Sequence, residues 1–314
     1  MKQKKLISYI LPVYNEQAGL EEFYSSLSSV LAKEPNYLFE LIFINDGSKD
    51  TSFQILQTLH EKDDRITVIN FSKNFGHQMA ITAGLDIANG DAAIIMDTDL
   101  QDPPETSIKL IEKWQEGFQV VYAQRKQRQD GTLKKLTAYM FYRILDRLSE
   151  VKIPKDTGDF RLLDHSVIIE LRKFRETNRF MRGLTSYIGF SQTAILFERS
   201  KRFAGETHYP FGKMLKLAFD GITSFSTVPL KVITHFGFYV SMFSFIGIIY
   251  AVFVRIFIPE ITVQGTTFAV ISVLFMGGVQ MIMLGILGEY IGRIYQEVQN
   301  RPLYIVSSVL KKIK

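Results

Sequence analysis

The stretch AAIIMDTDLQDPP, Ala92 to Pro104, sets five apolar residues directly against three carboxylates, Asp97, Asp99 and Asp102. A short continuous apolar run bounded by turn residues is the pattern of a strand buried on both faces. The residues after the run admit two readings. Asp and Pro end strands and open turns, and Pro103–Pro104 can start the helix suggested by SIKLIEKW, with Asp102 as its cap. Alternatively, Asp97 and Asp99 form a site for Mg²⁺ or Mn²⁺, hard ions that take carboxylate oxygen and bridge to substrate phosphates. The surroundings have to choose between the two.

Upstream and downstream, strand-like and helix-like segments alternate. LISYILPVY, FELIFIND, ITVINF, DAAIIMD and FQVVYAQR read as strands. GLEEFYSSLSSVLAKE, SFQILQTLHEKD, HQMAITAGLDIAN and PETSIKLIEKWQEG read as helices. This βαβα order predicts an α/β fold with a mostly parallel, Rossmann-like sheet covered by helices. The strand C-termini then share one edge, where open α/β sheets bind ligands. Five polar clusters fall on that edge. They are Pro12, Tyr14, Asn15 and Glu16; Asn45, Asp46, Gly47, Ser48 and Asp50; Ser72, Lys73, Asn74, Gly76 and His77; Asp97 and Asp99; and Arg125. One such cluster is explained by helix capping, since Ser48 or Asp50 can serve a helix starting near Ser52. Five together describe the rim of a pocket.

The chain of 314 residues carries a formal charge of +5 and no cysteine. Disulfides, thiolate chemistry and Cys-ligated metals are excluded. The positive charge is dispersed and forms no aromatic–basic array, so nucleic acid is not an expected partner. No G-x-G-x-x-G or P-loop appears in a strand–helix context, and no His pair has zinc-site spacing.

Residues 232–254 and 265–288 contain no Asp, Glu, Lys or Arg. Each run is long enough to cross about 30 Å of hydrocarbon as a helix. The short connector FIPEITVQ makes them an antiparallel transmembrane hairpin. Lys201, Arg202, Lys213, Lys216 and Lys231 precede it, and Arg293, Arg301, Lys311, Lys312 and Lys314 follow it. That bias predicts a cell-membrane protein whose N-terminal domain (1–200) and basic tail (289–314) are cytoplasmic. Residues 201–231 read as an amphipathic juxtamembrane segment, and 133–148 as either a second interfacial element or a helix on the sheet. Small residues in the hairpin favour a homo-oligomer.

The motifs LPVYNE, INDGSKD, SKNFGHQMA, MDTDLQDPP, DTGDFRLLD and RFAGETHYPFGKMLKLAFDGI, with the final hairpin, closely resemble glycosyltransferase family 2. Within it they are most similar to membrane-anchored polyprenyl-phosphate glycosyltransferases. The resemblance implies a GT-A fold and inverting transfer of a hexose or N-acetylhexosamine from a nucleotide-sugar, UDP-linked by the nearer bacterial likeness, to undecaprenyl phosphate. It puts Pro12, Tyr14, Glu16, Asp46, Lys73 and Arg199 in the nucleotide-sugar site. Asp97, Asp99 and Gln101 fall at the metal and diphosphate, and Asp156 and Asp159 beside the reacting centre. Arg125, Arg199 and Arg202 become the cations that meet phosphate. Four positions depart from the family pattern: Asn45 replaces the first of two aspartates, Thr98 replaces alanine, and Thr207–His208 replace Ser-Lys. A processive polysaccharide synthase is the alternative enzyme, but its Q-x-x-R-W segment is missing, the sole tryptophan being Trp114. A non-catalytic nucleotide-sugar-binding scaffold is the alternative outside catalysis.

Overall fold

The computed structural model describes residues 4–126, 154, 157–198, 228–257 and 265–312. Two units are formed. The first contains an eight-stranded sheet. Its elements are β1 (Lys5–Val13), α1 (Leu20–Leu31), β2 (Tyr37–Asn45), α2 (Ser52–Lys62), β3 (Ile66–Phe71), α3 (His77–Ile87), β4 (Ala92–Ile95) and α4 (Pro104–Gln115). Then come β5 (Val120–Arg125), β6 (Thr157–Asp164), α5 (His165–Lys173), α6 (Met181–Tyr187), β7 (Gln192–Phe197) and, after the second unit, β8 (Val306–Leu310).

The strand order is β7-β5-β6-β4-β1-β2-β3-β8. Strands β1 to β4 are mutually parallel, and β5 pairs parallel with β7. Alternate residues of each strand feed two cores. Ile7, Tyr9, Leu11 and Val13 of β1 pack with Phe23 of α1, Leu56 of α2 and Trp114 of α4. Ile10 faces the other way, with Ala80 and Ile81 of α3, Leu171 of α5 and Leu184 of α6. Both faces are therefore covered, which is why these strands read as unbroken apolar runs.

Two features differ from the sequence expectation. The segment TGDFRLLD, Thr157–Asp164, forms β6, which runs antiparallel and inserts between β4 and β5. Being antiparallel to both, it leaves β5 running with β1–β4, so Arg125 still ends on the expected edge. The span 289–314, expected as a basic tail, is not one element. The helix of the second unit runs through Val298, and Val306–Leu310 add an antiparallel strand to the edge of β3. Tyr304 anchors this strand. Its ring stacks on Phe71 at 5.1 Å, and its hydroxyl donates to Asp86 at 2.7 Å. Asp86 also holds Arg175 at 2.8 Å, and Lys312 pairs with Asp64.

The second unit holds helices α7 (Val228–Phe257) and α8 (Thr266–Val298). Both are long and apolar enough to cross a membrane, over Leu230–Gly247 and within Ile271–Val298. Phe238, Phe243, Tyr250, Val273, Met281 and Leu284 are exposed within the unit. Large apolar side chains exposed along both helices are the kind of surface that marks a contact with a partner or a membrane. Each helix outlasts its uncharged run: α8 continues past Gly288 into a Glu289–Arg293 ion pair of 3.0 Å.

Candidate active site

The rim begins with two interlocked loops. Asn15, at φ 55, ends the β1 side; its backbone N–H donates to Ser48 Oγ at 3.0 Å, and its Oδ1 accepts from the Lys49 N–H at 2.8 Å. Asp50 accepts the N–H of Ser52 at 3.0 Å, so this member of the cluster does cap α2. Gly47 sits at φ +64, and a Cβ there would stand 2.4 Å from the Lys73 carbonyl carbon. Only glycine lets the β2–α2 and β3–α3 loops approach so closely.

Asp46 fastens that contact. It is buried, and its carboxylate accepts from Phe75 N–H at 2.7 Å, Gly76 N–H at 3.0 Å and Asn74 Nδ2 at 2.9 Å. Burial raises its pKa; these hydrogen bonds offset the effect in part, and the net direction is upward. Its carboxylate thus shapes the loop wall. Tyr14 is exposed, Glu16 half-buried and Lys73 exposed, with its ammonium 5.1 Å from the Phe75 ring. Pro12 is buried within β1, and its carbonyl accepts the Thr98 hydroxyl at 3.0 Å.

That last bond positions DTDLQDPP. Thr98 points into the protein, so its neighbours Asp97 and Asp99 are turned outward and half-buried. Leu100 lies at φ 60, and Asp99 accepts the Gln101 N–H at 3.1 Å. Turn and site coincide here: the turn geometry presents the carboxylates. Asp102 is buried one residue before the N-cap position, which Pro103 occupies, and Pro104 opens α4.

The remaining part comes from β6. Ile95 pairs with Arg161, and continuing that register by two residues sets Asp159 opposite Asp97. Because β6 is antiparallel, its beginning lies where the parallel strands end. His77 stands between the two carboxylates, its Nε2 3.5 Å from Asp97 Oδ1 and 3.4 Å from Asp159 Oδ2. Packing around the ring opposes its charge, but the bond to Asp159 and the charges of Asp97 and Asp159 raise its pKa to about 9. Asp159 is buried and also accepts from Gln78 Nε2 at 2.9 Å, with Arg182 Nε 3.2 Å away. Burial alone would raise its pKa; His77, Arg182 and Arg161 outweigh that and hold the carboxyl well below the usual range. Arg161 is buried beneath, donating to Thr185 Oγ1 and to the Gly158 carbonyl, with its own pKa pushed down by burial to about 10. Arg125 reaches the same place: its guanidinium is 4.0 Å from where a Cβ on Gly158 would stand.

The structure therefore gathers Asp97, Asp159 and Arg125, and it sets Asp99 and Gln101 on the adjoining turn. Asp156, Arg199 and Arg202 lie outside the described residues, as do His208 and most of the juxtamembrane segment. Gln78, Arg161 and Arg182 are additional. Gln78 and Arg161 fall inside the motifs SKNFGHQMA and DTGDFRLLD but beside the residues singled out there, and Arg182 lies in the basic, partly apolar run RFMRGLTSY, which marks no strand end.

A family model described as "Glycosyl transferase family 2" matches residues 8–172, which include every described residue of this cluster except Arg182 and Thr185. The chain is 48% identical over 301 residues, 95% of its length and 92% of the relative's, to an uncharacterized glycosyltransferase, YkcC, of Bacillus subtilis (strain 168). It is 41% identical over 303 residues, 96% of its length and 99% of the relative's, to the bactoprenol glucosyl transferase of Shigella phage SfX. Among solved structures, glucosyl-3-phosphoglycerate synthase from Mycobacterium tuberculosis in complex with Mn²⁺, UDP and phosphoglyceric acid is similar at TM-score 0.45 and 19% identity, over 70% of this chain and 76% of that one. The mixed α/β sheet, mostly parallel in its strands, is a GT-A-like glycosyltransferase fold. This chain belongs to glycosyltransferase family 2, and it is a glycosyltransferase.

Proposed function

We propose that this protein transfers a hexose or N-acetylhexosamine, with inversion, from a UDP-sugar to undecaprenyl phosphate. The observation that carries the reading is the near-complete alignment, apolar helices included, with relatives named bactoprenol glucosyl transferases at 41–42% identity. A prenyl tail stays in the bilayer, and two apolar helices in the same chain as the catalytic sheet suit an acceptor of that kind. The orientation proposed has both ends of the chain on the cytoplasmic side. A reporter fused after Lys314 is expected to read as cytoplasmic and one inserted at Glu260 as external; the reverse pattern would overturn the orientation.

Asp97 and Asp99 fit a divalent ion by donor chemistry, being half-buried hard oxygen ligands on one short turn, with Asp97 Oδ1 buried. Among the described residues no third His, Asp or Glu completes a cluster. The other positions would fall to water and substrate phosphate oxygens, the arrangement Mg²⁺ prefers. A bound divalent ion supplies Lewis-acid compensation for charge on the departing diphosphate. Arg125 adds directed donors at the same edge. The acceptor phosphate has a second pKa of about 6 and is largely dianionic at neutral pH, so it attacks without a strong general base. Asp159, held ionised by its cationic partners, orients the groups around that attack.

The test is a donor panel. Purified protein, Mn²⁺ or Mg²⁺ and undecaprenyl phosphate are incubated with each radiolabelled UDP- or GDP-sugar, and label in the lipid phase is measured. One sugar nucleotide is expected to label the lipid. Absence of lipid label from every donor would refute the reading and favour a nucleotide-sugar-binding scaffold.

A further inference from the structure

We propose that Arg182 is a substrate-anion residue of this site, its guanidinium binding a phosphate group of one of the two substrates. The inference rests on the transfer reading for the identity of the anions, and on geometry for the residue. Arg182 lies in the first turn of α6, and that turn is pinned to the rim. Gln78 Oε1 accepts the Met181 N–H at 2.8 Å while Gln78 Nε2 donates to Asp159. One turn on, Thr185 accepts from the buried Arg161. The helix is thus fastened to the start of α3 and to β6, the two elements that carry His77 and Asp159.

Among the described residues, the Arg182 side chain is held from one side. Nε faces Asp159 Oδ1 at 3.2 Å, one terminal nitrogen donates to the Thr157 carbonyl at 3.0 Å, and the group lies 5.0 Å from the Phe180 ring. The other terminal nitrogen makes no hydrogen bond to a described residue, and the side chain is 28% exposed. A guanidinium carries five N–H donors in a planar fork, and this anchoring leaves one edge of the fork to a planar or tetrahedral oxyanion.

The charge count points the same way. Among the described residues, Asp159 is one carboxylate set against two guanidiniums, Arg161 and Arg182, with His77 shared between Asp159 and Asp97. A structural ion pair needs one cation, and a second cation near a buried carboxylate is costly unless another anion offsets it. A phosphate arriving at the rim supplies that anion. Two sources present the same phosphoryl oxygens, the monoester of the lipid acceptor and the diphosphate of the donor.

The experiment uses full-length protein in detergent with R182Q and R182K, and thermal unfolding confirms that each variant is folded. The sugar nucleotide that labels lipid in the donor panel and undecaprenyl phosphate are varied separately, and binding of inorganic phosphate and of pyrophosphate is measured by calorimetry. R182Q is expected to raise one KM roughly 10- to 100-fold, the range for a lost charge-assisted hydrogen bond, and R182K to recover part of it through charge without the fork. A rise in acceptor KM with weaker phosphate binding assigns the monoester; a rise in donor KM with weaker pyrophosphate binding assigns the diphosphate. Unchanged KM values and unchanged anion binding in folded R182Q overturn the proposal, and if R182Q does not fold the same comparison is made with R182K. Should wild type transfer no sugar, the transfer reading fails while Arg182 is still judged by calorimetry, where equal affinities in wild type and variant count against it.

Discussion

The two halves of the rim are built on opposite principles. On the β1–β3 side, loops leave the ends of parallel strands and lock to one another through backbone and small polar groups: Asn15 to Ser48, Asp46 to Phe75 and Gly76, Gly47 against Lys73. On the β6 side, an antiparallel strand delivers its beginning to the same edge, and charged side chains do the fastening: Asp159 with His77, Arg182 and the buried Arg161. The first half depends on backbone shape and the second on charge balance. Asp97 lies at the seam and touches the second half through His77.

This contrast predicts where substitutions will be felt. The largest effect falls on the charged half. Asp159→Asn removes the anion that Arg161 and Arg182 share, and chemical denaturation should show a loss of about 3 kcal/mol at neutral pH, typical of a broken buried pair. The sign with pH comes from a depressed carboxyl. Its stabilisation is complete above the ordinary value of 3.8 and disappears as pH falls through its lower folded value, so the two proteins should converge in acid. A constant gap down to strongly acid pH would mean that charge is not what Asp159 contributes.

At the seam the balance shifts from stability to turnover. Asp97→Asn is expected to lower kcat by roughly 10² or more through lost charge stabilisation, with little change in melting temperature. EDTA should reproduce the loss, and added Mn²⁺ should restore wild type only. Full activity in both conditions would leave the carboxylate as a strand-end residue.

The backbone half should fail by shape. Gly47→Ala meets both a positive φ and the Lys73 carbonyl carbon, and we expect about 2 kcal/mol of destabilisation together with weaker UDP binding by the displaced loop. A neutral result would show that the two loops move independently. The smallest effect belongs to the edge strand. Tyr304→Phe deletes one hydrogen bond to Asp86 while keeping the stack on Phe71, so thermal unfolding should register about 1 kcal/mol and activity should barely change.

The backbone half is also the readable half. Strands β1 to β4 and their helices announce themselves by apolar runs and helical spacing, and the parallel rule then places their polar ends together. Asp97 and Arg125 are legible in that way. The strand β6 is not, because TGDFRLLD mixes charges into the run and its meaning depends on which neighbours it pairs with. Its antiparallel direction is what carries Asp159 to the rim, and the family likeness supplies that residue where periodicity does not. Arg182 sits on a seven-residue helix with no strand end beside it, so no local pattern separates it from other surface arginines. The strand β8 escapes notice for a plainer reason: VSSVL is five residues long, with serine at two of them, too little apolar signal to stand apart from a tail.

That last strand has a consequence for how the protein is made. Pairing Val68 with Leu310 joins two points that most of the chain separates. As synthesis proceeds, β3 is complete early, yet its outer edge has no partner until both apolar helices have emerged and the residues beyond them return. For that interval the sheet presents an unpaired edge, the feature through which β-proteins most readily misassociate. Such a long-range closure is slow to form. The nascent chain therefore has its period of greatest risk of misassociation while its two apolar helices are being made, and β8 ends that period by closing the edge.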